Sequence, residues 1–231
     1  MTKHKDLNVT VLAYSRFNTF EKVINQCNKN LTKVTVNLDS PENNDVEVEQ
    51  KKIISLLDRL DIEVELVRRS TNYGLVRSVL TSVEEGLERD DHVIMLEDDC
   101  LPSDEFFDFM SSSLKKYANH KSISSVCGTV TDCRFNPWGW ATWKNKWKYK
   151  NMTIEQILQV QNLSNDLRNF LEQNDVEESI WSLSWLAYQY KNNTCSLFPN
   201  KSLVKNIGIK NPGVHCSEKG YTKWLLSQIM N

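Results

Sequence analysis

Short apolar runs alternate with segments of helical periodicity over the first 128 residues, and no other feature of the sequence limits the fold as strongly. Four runs rich in aliphatic and β-branched residues predict buried strands at 8–14, 34–38, 62–67 and 93–96. Between them, apolar residues recur on one face of three predicted helices, within 19–27, 48–60 and 75–87. A helix over Asp104 to Tyr117 and a strand over Ile123–Cys127 continue the series.

This order of elements favours right-handed βαβ units, which build a Rossmann-like α/β fold with a mostly parallel central sheet flanked by helices. In such sheets, ligands bind beyond the carboxyl ends of the strands. The alternation ends after Gly128, where the chain becomes Trp-rich and irregular before a helix predicted at 176–191. We expect a single domain over 1–231 with two halves, 1–128 and 129–231, because no low-complexity linker separates them.

Composition and charge exclude several classes of function. A net charge of -2 and a pI near 6.1 provide no overall basic field, so we expect no nucleic-acid partner. No apolar run approaches the roughly 20 residues of a membrane span. The six cysteines form no CxxC pair, and the polar start at residues 1–6 is not followed by the apolar h-region of a signal peptide. We therefore expect a cytoplasmic protein with free thiols.

Three consecutive carboxylates, Glu97, Asp98 and Asp99, directly follow the apolar run His92–Leu96. Like charges this close repel one another unless a cation shares the space. The chain has no GxGxxG or GxxxxGK[ST] loop, no HExxH and no paired-cysteine metal motif, which leaves oxygen ligands. Such a cluster suits Mg²⁺ or Mn²⁺ completed by substrate phosphates. The alternative is a solvated acidic turn that happens to end a strand.

Five stretches in a fixed order carry a resemblance to a known family. The acidic block, residues 96–109, is preceded by Asn72-Tyr73-Gly74-Leu75, and Leu38-Asp39-Ser40-Pro41 follows the second predicted strand. Further along lie Asn136-Pro137-Trp138-Gly139-Trp140-Ala141-Thr142-Trp143-Lys144 and, within 199–215, Leu203-Val204-Lys205-Asn206-Ile207-Gly208 and His215. Together they resemble GT-A glycosyltransferases, closest to the N-acetylglucosaminyltransferase I type and to bacterial sugar transferases of similar layout. The resemblance covers about residues 8–216.

The resemblance implies a role for each member of the acidic triplet. Asp99 would ligate the divalent metal, Mn²⁺ or Mg²⁺, that bridges the two phosphates of a nucleoside-diphosphate sugar. Asp98 would reach the ribose or a metal-bound water, and Glu97 would orient the cluster or contact the sugar. The metal would neutralise charge on the departing nucleoside diphosphate.

By the same resemblance, the nucleobase and ribose would be held by residues that follow the first two strands. Arg16 and Asp39 are the candidates there, with Asn72 and Arg77 nearby. Arg77 has an equal claim to being an ordinary charge on a helix surface. His215 would contact the diphosphate from a loop, or is a surface imidazole.

Four tryptophans fall within ten residues. Trp138 and Trp140, on either side of Gly139, are the candidates for stacking on a sugar ring in the donor or acceptor pocket. For Trp143 and Trp147 we favour core packing. Lys144 stands where the family has Arg; it would supply positive charge but no bidentate phosphate contact.

The general base is the weakest part of the match. An inverting transferase needs a carboxylate to take the proton of the acceptor hydroxyl. Where related bacterial sequences carry Trp-Asp, this chain has Trp181-Ser182. Ser182 is a catalytic candidate by position, but serine cannot act as a general base at neutral pH without help, so another acid substitutes, or the enzyme has changed its mechanism or lost it. Glu178, four residues earlier on the same predicted helical face, is the substitute we predict, with Glu177 and Asp175 behind it. The alternative for all three is a solvated acidic turn at a helix start.

The sequence thus predicts a metal-dependent transferase that moves a sugar from a UDP-linked donor to a saccharide or lipid-linked glycan, with inversion. A lipid-linked acceptor would place it peripherally at the inner face of the membrane. Residues 1–128 would bind the donor and 129–231 the acceptor. Two alternatives stay open: a nucleotidyltransferase, or a transferase-derived protein that binds nucleotide sugars without catalysis.

Overall fold

The computed structural model describes residues 3–131, 134–174 and 180–208. Nine strands and seven helices occur within these ranges. The strands are β1 (Val9–Ala13), β2 (Lys33–Leu38), β3 (Glu63–Arg68), β4 (His92–Glu97), β5 (Cys100–Pro102), β6 (Ile123–Cys127), β7 (Trp140–Trp143), β8 (Cys195–Leu197) and β9 (Val204–Asn206). The helices are α1 (Phe17–Asn30), α2 (Asn44–Leu57), α3 (Gly74–Arg89), α4 (Asp104–Tyr117), α5 (Ile154–Leu158), α6 (Asn165–Gln173) and α7 (Trp181–Lys191).

Seven strands form a central sheet in the order β3-β2-β1-β4-β7-β6-β8. The pairs β3–β2, β2–β1, β1–β4 and β6–β8 are parallel, whereas β7 runs antiparallel to both of its neighbours. The remaining two strands, β5 and β9, pair antiparallel in a separate ribbon. The predicted α/β class, with a mostly parallel central sheet flanked by helices, is confirmed.

Successive residues of the central strands point into two different hydrophobic cores, as the period of two in a β-strand requires. In β4, Ile94 and Leu96 belong to the core shared with α1, α2 and α4, while Val93 and Met95 belong to the core shared with α3 and α5–α7. A sheet buried on both faces reads as a continuous apolar run, which is why these strands were visible in the sequence.

The Trp-rich segment contains a strand where the sequence predicted irregular structure. β7 is fully buried and lies between β4 and β6, with Ala141 paired to both Ile94 and Val126. The alternation of strands and helices in the sequence did not predict β7, because this strand joins the sheet antiparallel and no crossover helix precedes it. Strands from both predicted halves, divided at residue 128, therefore share the central sheet.

Among the helices of the described ranges, none combines the length and the apolar character that a bilayer crossing demands. Cys27, Cys100 and Cys127 are buried free thiols, in line with the prediction for these three residues. The predicted helix at 176–191 is observed from Trp181 onward; Asp175, Glu177 and Glu178 lie outside the described residues.

Candidate functional site

The predicted site residues that follow β1, β2 and β4 meet at one edge of the sheet. Leu12 pairs with Glu97 and Ala13 with Leu38, so these three parallel strands end level with one another. Three loops therefore emerge side by side: 14–16 after β1, 39–43 after β2 and 98–99 after β4. This is the carboxyl edge, at which α/β sheets bind their ligands.

Arg16 is the cation that shares the space of the acidic triplet in this structure. Its Nη1 donates to Asp99 Oδ2 at 2.6 Å, and its Nη2 donates to Asp98 Oδ1. Both aspartates are buried, with 3% of each residue exposed, whereas Arg16 is only partly buried. One guanidinium thus bridges two buried carboxylates and ties the β1 loop to the β4 loop.

The triplet is nevertheless not fully compensated. Burial, followed by the neighbouring charges of Asp99 and Asp98, raises the pKa of Glu97 to about 8. Burial also raises the pKa of Asp98 to about 6, although Arg16 opposes that rise. Glu97 is therefore largely protonated near pH 7. The two aspartates still share a single guanidinium, and this leaves room for a further positive charge.

The β5–β9 ribbon brings a distant stretch of sequence onto the same carboxylates. Cys100 pairs with Asn206, and the Ile207 amide donates to the Asp99 carbonyl at 2.8 Å. The next residue, Gly208, packs directly on the ion pair: a Cβ at that position would lie 2.8 Å from the Asp99 Cβ and 2.9 Å from Arg16 Nη1. Only glycine lets the backbone approach the pair this closely.

Asp39 is held by backbone and hydroxyl donors. Its Oδ1 accepts from the amides of Ser40 (2.9 Å) and Tyr73 (2.8 Å). Its Oδ2 accepts from the Gly74 amide (2.9 Å) and the Ser78 hydroxyl (3.1 Å), and shares the Tyr73 amide at 3.1 Å. The side chain of Tyr73, the N-cap residue of α3, makes no capping hydrogen bond. Asp39, which follows β2, instead accepts from the free backbone amides at the start of α3.

Asn72 and Arg77 lie beside this loop and are both exposed. Asn72 Nδ2 donates to the Ser40 carbonyl (2.8 Å), and its Oδ1 accepts from the Gly74 amide (2.9 Å), so the side chain joins the β2 loop to the start of α3. The Arg77 guanidinium stacks on the Tyr73 ring, 3.8 Å from the ring centroid. Both side chains therefore lie at the surface beside the carboxyl edge of the sheet.

The two tryptophans proposed for the sugar pocket have different positions. Trp140 pairs with Met95, whereas Trp138 lies before β7 on the other side of Gly139, is partly exposed and packs against the core shared with α1, α2 and α4. Trp140 itself is 2% exposed and packs against Phe135 and Trp181. The structure therefore corrects the expectation for Trp140, which is a core residue. Trp143 is also buried, as predicted, and Trp147 is partly buried against Trp140.

Lys144 is on the wrong edge of the sheet for a phosphate contact. Its amide donates to the Asp91 carbonyl at 2.9 Å, which places it beside the amino end of β4. Glu97, the first member of the acidic triplet, is the last of the 6 residues of β4, so about 20 Å of extended chain lies between Asp91 and the triplet. The resemblance matched Lys144 by its position in the sequence. Because β7 runs antiparallel to β4, Lys144 lies at the edge of the sheet opposite the acidic triplet.

Ser182 lies in the first turn of α7 with only 3% of the residue exposed. It is a buried helix residue with no open face for an acceptor hydroxyl. Glu178, the predicted base, and His215, the predicted diphosphate contact, lie outside the described residues.

The residue types present suit a hard divalent cation, although they form no ready-made cage. In the described part of the chain, no three His, Cys, Asp or Glu side chains converge to hold a metal ion. Mg²⁺ and Mn²⁺ sites in phosphate chemistry use one or two carboxylates, with waters and the substrate phosphates as the remaining ligands. Asp98 and Asp99 supply these two carboxylates, and both also form ion pairs with Arg16.

Two residues of this site were missed in the sequence. Gln50, in the middle of α2, donates from Nε2 to the carbonyls of Tyr14 (3.0 Å) and Asp39 (2.8 Å). Ser78, on α3, donates to Asp39. The one available signal was a polar residue on the apolar face of each helix, at positions where a core residue is expected.

No protein-family model matches the chain, and no curated protein matches it in sequence. Among solved structures, a cytidylyltransferase from Leptospira borgpetersenii is 12% identical, with 88% of this chain and 82% of that chain covered and a TM-score of 0.48. TarS from S. aureus is 11% identical, with 100% and 71% covered and a TM-score of 0.44. A mannose-1-phosphate geranyltransferase from Thermus thermophilus is 9% identical, with 90% and 77% covered and a TM-score of 0.44. None of these similarities identifies what this chain does, so function has to be inferred from the site.

Proposed function

We propose that this protein is a metal-dependent glycosyltransferase that takes its sugar from a nucleoside-diphosphate donor, UDP-linked by preference. The supporting observation is the meeting of Arg16, Asp98, Asp99 and Gly208 at the carboxyl edge of the sheet. These residues come from three separate stretches of sequence, and two of them, the acidic block at 96–109 and the stretch within 199–215, resemble glycosyltransferase motifs. A solvated acidic turn would not bury two aspartates or have a distant glycine packed on them.

Residues 1–128 would supply the donor site, and residues 129–231 the acceptor side. Trp138, partly exposed in the segment before β7, is the aromatic face that would lie beside the transferred sugar. Asn72 and Arg77 would border the nucleoside. Glu97, whose pKa is raised to about 8 by burial and by Asp99 and Asp98 in the metal-free protein, would orient the cluster or contact a sugar hydroxyl.

In the transfer, the acceptor hydroxyl oxygen forms a bond to the anomeric carbon as the bond from that carbon to the diphosphate oxygen breaks. The electron pair of the broken bond leaves with the nucleoside diphosphate, and the acceptor proton passes to a general base. A divalent ion held by Asp99 and Asp98 would supply positive charge to the leaving diphosphate. Glu178 is the base that we propose. A single displacement, with the acceptor attacking from the face opposite the diphosphate, would invert the anomeric carbon. The acceptor would be a saccharide or a lipid-linked glycan.

The binding step is tested by calorimetric titration of UDP with and without Mn²⁺. We expect binding in Mn²⁺, and we expect Asp99→Ala to lose the metal-dependent part. Asp108→Ala is the matched control, because Asp108 is an exposed carboxylate away from the triplet. Equal metal-dependent binding by wild type and Asp99→Ala would refute the metal assignment.

The catalytic step is tested by screening nucleotide sugars for stabilisation against heat, then measuring the products with an acceptor present. Release of UDP with a glycosylated acceptor supports the transferase. Release of pyrophosphate from a nucleoside triphosphate and a sugar phosphate would instead identify a nucleotidyltransferase.

A second candidate, a nucleotide-sugar-binding protein without transfer, is favoured by one observation: Ser182 is buried where the related bacterial sequences carry an acid. It predicts donor binding with no UDP release at any acceptor concentration. If the protein is a transferase, Glu178→Gln should abolish transfer and leave donor binding intact. If it only binds nucleotide sugars, neither the wild type nor Glu178→Gln should show transfer.

A further inference from the structure

Asp39 has no acceptor capacity left for a nucleotide. A carboxylate offers about four lone-pair sites. In this structure four donors, the amides of Ser40, Tyr73 and Gly74 and the hydroxyl of Ser78, already occupy the Asp39 oxygens. The residue is 8% exposed. A nucleobase N–H or a ribose hydroxyl could bind the carboxylate only after one of these donors had been displaced.

Gln50 extends the same connection to the β1 loop. Its amide nitrogen lies between the carbonyls of Tyr14 and Asp39, which are the residues directly after β1 and β2. Only 3% of Gln50 is exposed, and its two hydrogens have one carbonyl each. The side chain therefore sets the distance between the loop that carries Arg16 and the loop that holds α3.

We propose that Asp39 and Gln50 are positioning residues of the donor site, which act on the nucleotide through the backbone they hold and do not touch it. Gln50 fixes the β1 loop against the β2 loop, and Asp39 fixes the β2 loop against the start of α3. Asn72 and Tyr73 are thereby held on one side of the site and Arg16 on the other. The effect on nucleotide affinity rests on the proposed function; the effect on the backbone does not.

The backbone effect is measured by hydrogen exchange on the nucleotide-free protein. In Asp39→Asn, an amide NH₂ replaces one acceptor oxygen, and we expect the amides of Tyr73 and Gly74 to exchange about tenfold faster. Ser78→Ala is the milder variant, which removes one hydroxyl and should speed exchange in the same turn to a smaller degree. Unchanged exchange at Tyr73 and Gly74 in both variants would overturn the proposal.

The nucleotide effect is measured with UDP in Mn²⁺, by comparing Gln50→Met with Gln189→Met. Gln189 is the matched control: it is also 3% exposed and donates from Nε2 to Ser124, Ser125 and Ser196, on the far side of the sheet order from β1 and β2. We expect Gln50→Met to raise the Kd for UDP about tenfold, with Gln189→Met at the wild-type value. An equal Kd for the two variants would contradict a positioning role for Gln50.

The outcomes separate this proposal from the proposed function. If the wild-type protein binds no UDP or other nucleotide, the proposed function fails, and the exchange measurement still decides whether Asp39 holds the α3 turn. If Asp39→Asn weakens UDP binding but leaves exchange at Tyr73 and Gly74 unchanged, Asp39 touches the nucleotide directly and the positioning role is wrong.

Discussion

Arg16 Nη1 lies 2.6 Å from Asp99 Oδ2, and this contact joins the loop after the first strand to the loop after the fourth. The two residues are 83 positions apart in sequence. The pair supplies part of the positive charge that the acidic triplet needs, and it ties two loops together at the carboxyl edge of the sheet.

Removing this guanidinium should destabilise the protein. Arg16→Ala leaves two buried aspartates without their shared cation, and we expect a loss of about 3 kcal/mol in the free energy of unfolding. Arg16→Lys keeps one charge but cannot contact both carboxylates in fixed geometry, so the loss should be about half as large. Urea unfolding measures both. Arg59→Ala, at an exposed position, is the control and should change the free energy of unfolding by less than about 0.5 kcal/mol. If Arg59→Ala lost as much stability as Arg16→Ala, the Arg16 loss could not be attributed to the two aspartates.

The stability of the metal-free protein should fall as the pH rises from about 4.5 towards 8. The folded protein holds the Glu97 proton up to a pKa of about 8, whereas an unfolded chain releases it near 4.5. Between these values the folded state binds more protons, so raising the pH favours unfolding, by at most about 1.4 kcal/mol per pH unit. Urea unfolding in chelator at several pH values checks this. Glu97→Gln should flatten the dependence; curves parallel to wild type would show that Glu97 titrates normally.

Gly208→Ala should lower stability because the new methyl group meets the Asp99–Arg16 pair. Overpacking of this kind costs about 1–3 kcal/mol. Gly74→Ala is the useful comparison: a methyl group there meets open space, and the cost arises only from the positive φ of +67°, about 1 kcal/mol. Chemical unfolding of the two variants gives the stabilities. Metal-dependent UDP binding should weaken in Gly208→Ala, and a variant with wild-type affinity would place the metal away from Asp99.

Trp140→Ala and Trp138→Ala should affect different properties. Trp140 is buried among Phe135 and Trp181, so its truncation should cost about 3–5 kcal/mol. Trp138 is partly exposed in the segment before β7, and as part of the proposed sugar pocket its loss should raise the KM for donor or acceptor with a smaller change in stability. Thermal unfolding and steady-state kinetics distinguish the two. A stable Trp140→Ala protein with impaired substrate binding would restore Trp140 to the pocket.

Lys144→Ala should leave donor affinity unchanged. The residue lies beside the amino end of β4, about 20 Å of extended chain from the triplet. Titration of UDP in Mn²⁺ with Lys144→Ala and wild type is the measurement. A several-fold weaker affinity in the variant would mean that Lys144 reaches the diphosphate, which the strand register does not allow.

The order and type of the first elements follow from the sequence alone. The strands from β1 to β4, together with α4 and β6, lie within one or two residues of their predicted positions. A buried parallel strand appears in the sequence as a continuous apolar run, and an amphipathic helix as apolar residues spaced three or four apart. Both signals are local. The placing of Arg16, Asp39 and the triplet at one edge also follows, since parallel strands end on the same side.

Which side chains form ion pairs and hydrogen bonds with each other was decided by the tertiary structure. The sequence shows three carboxylates that require a cation, but only the parallel pairing of β1 with β4 makes Arg16 that cation. It shows an Asp after the second strand, but only the position of α3 turns that Asp into a cap for Tyr73 and Gly74. The direction of β7, which buries Trp140 and removes Lys144 from the site, is equally invisible to local patterns. Strand direction and hydrogen-bond partners depend on contacts between residues far apart in the chain, and local periodicity carries no information about them.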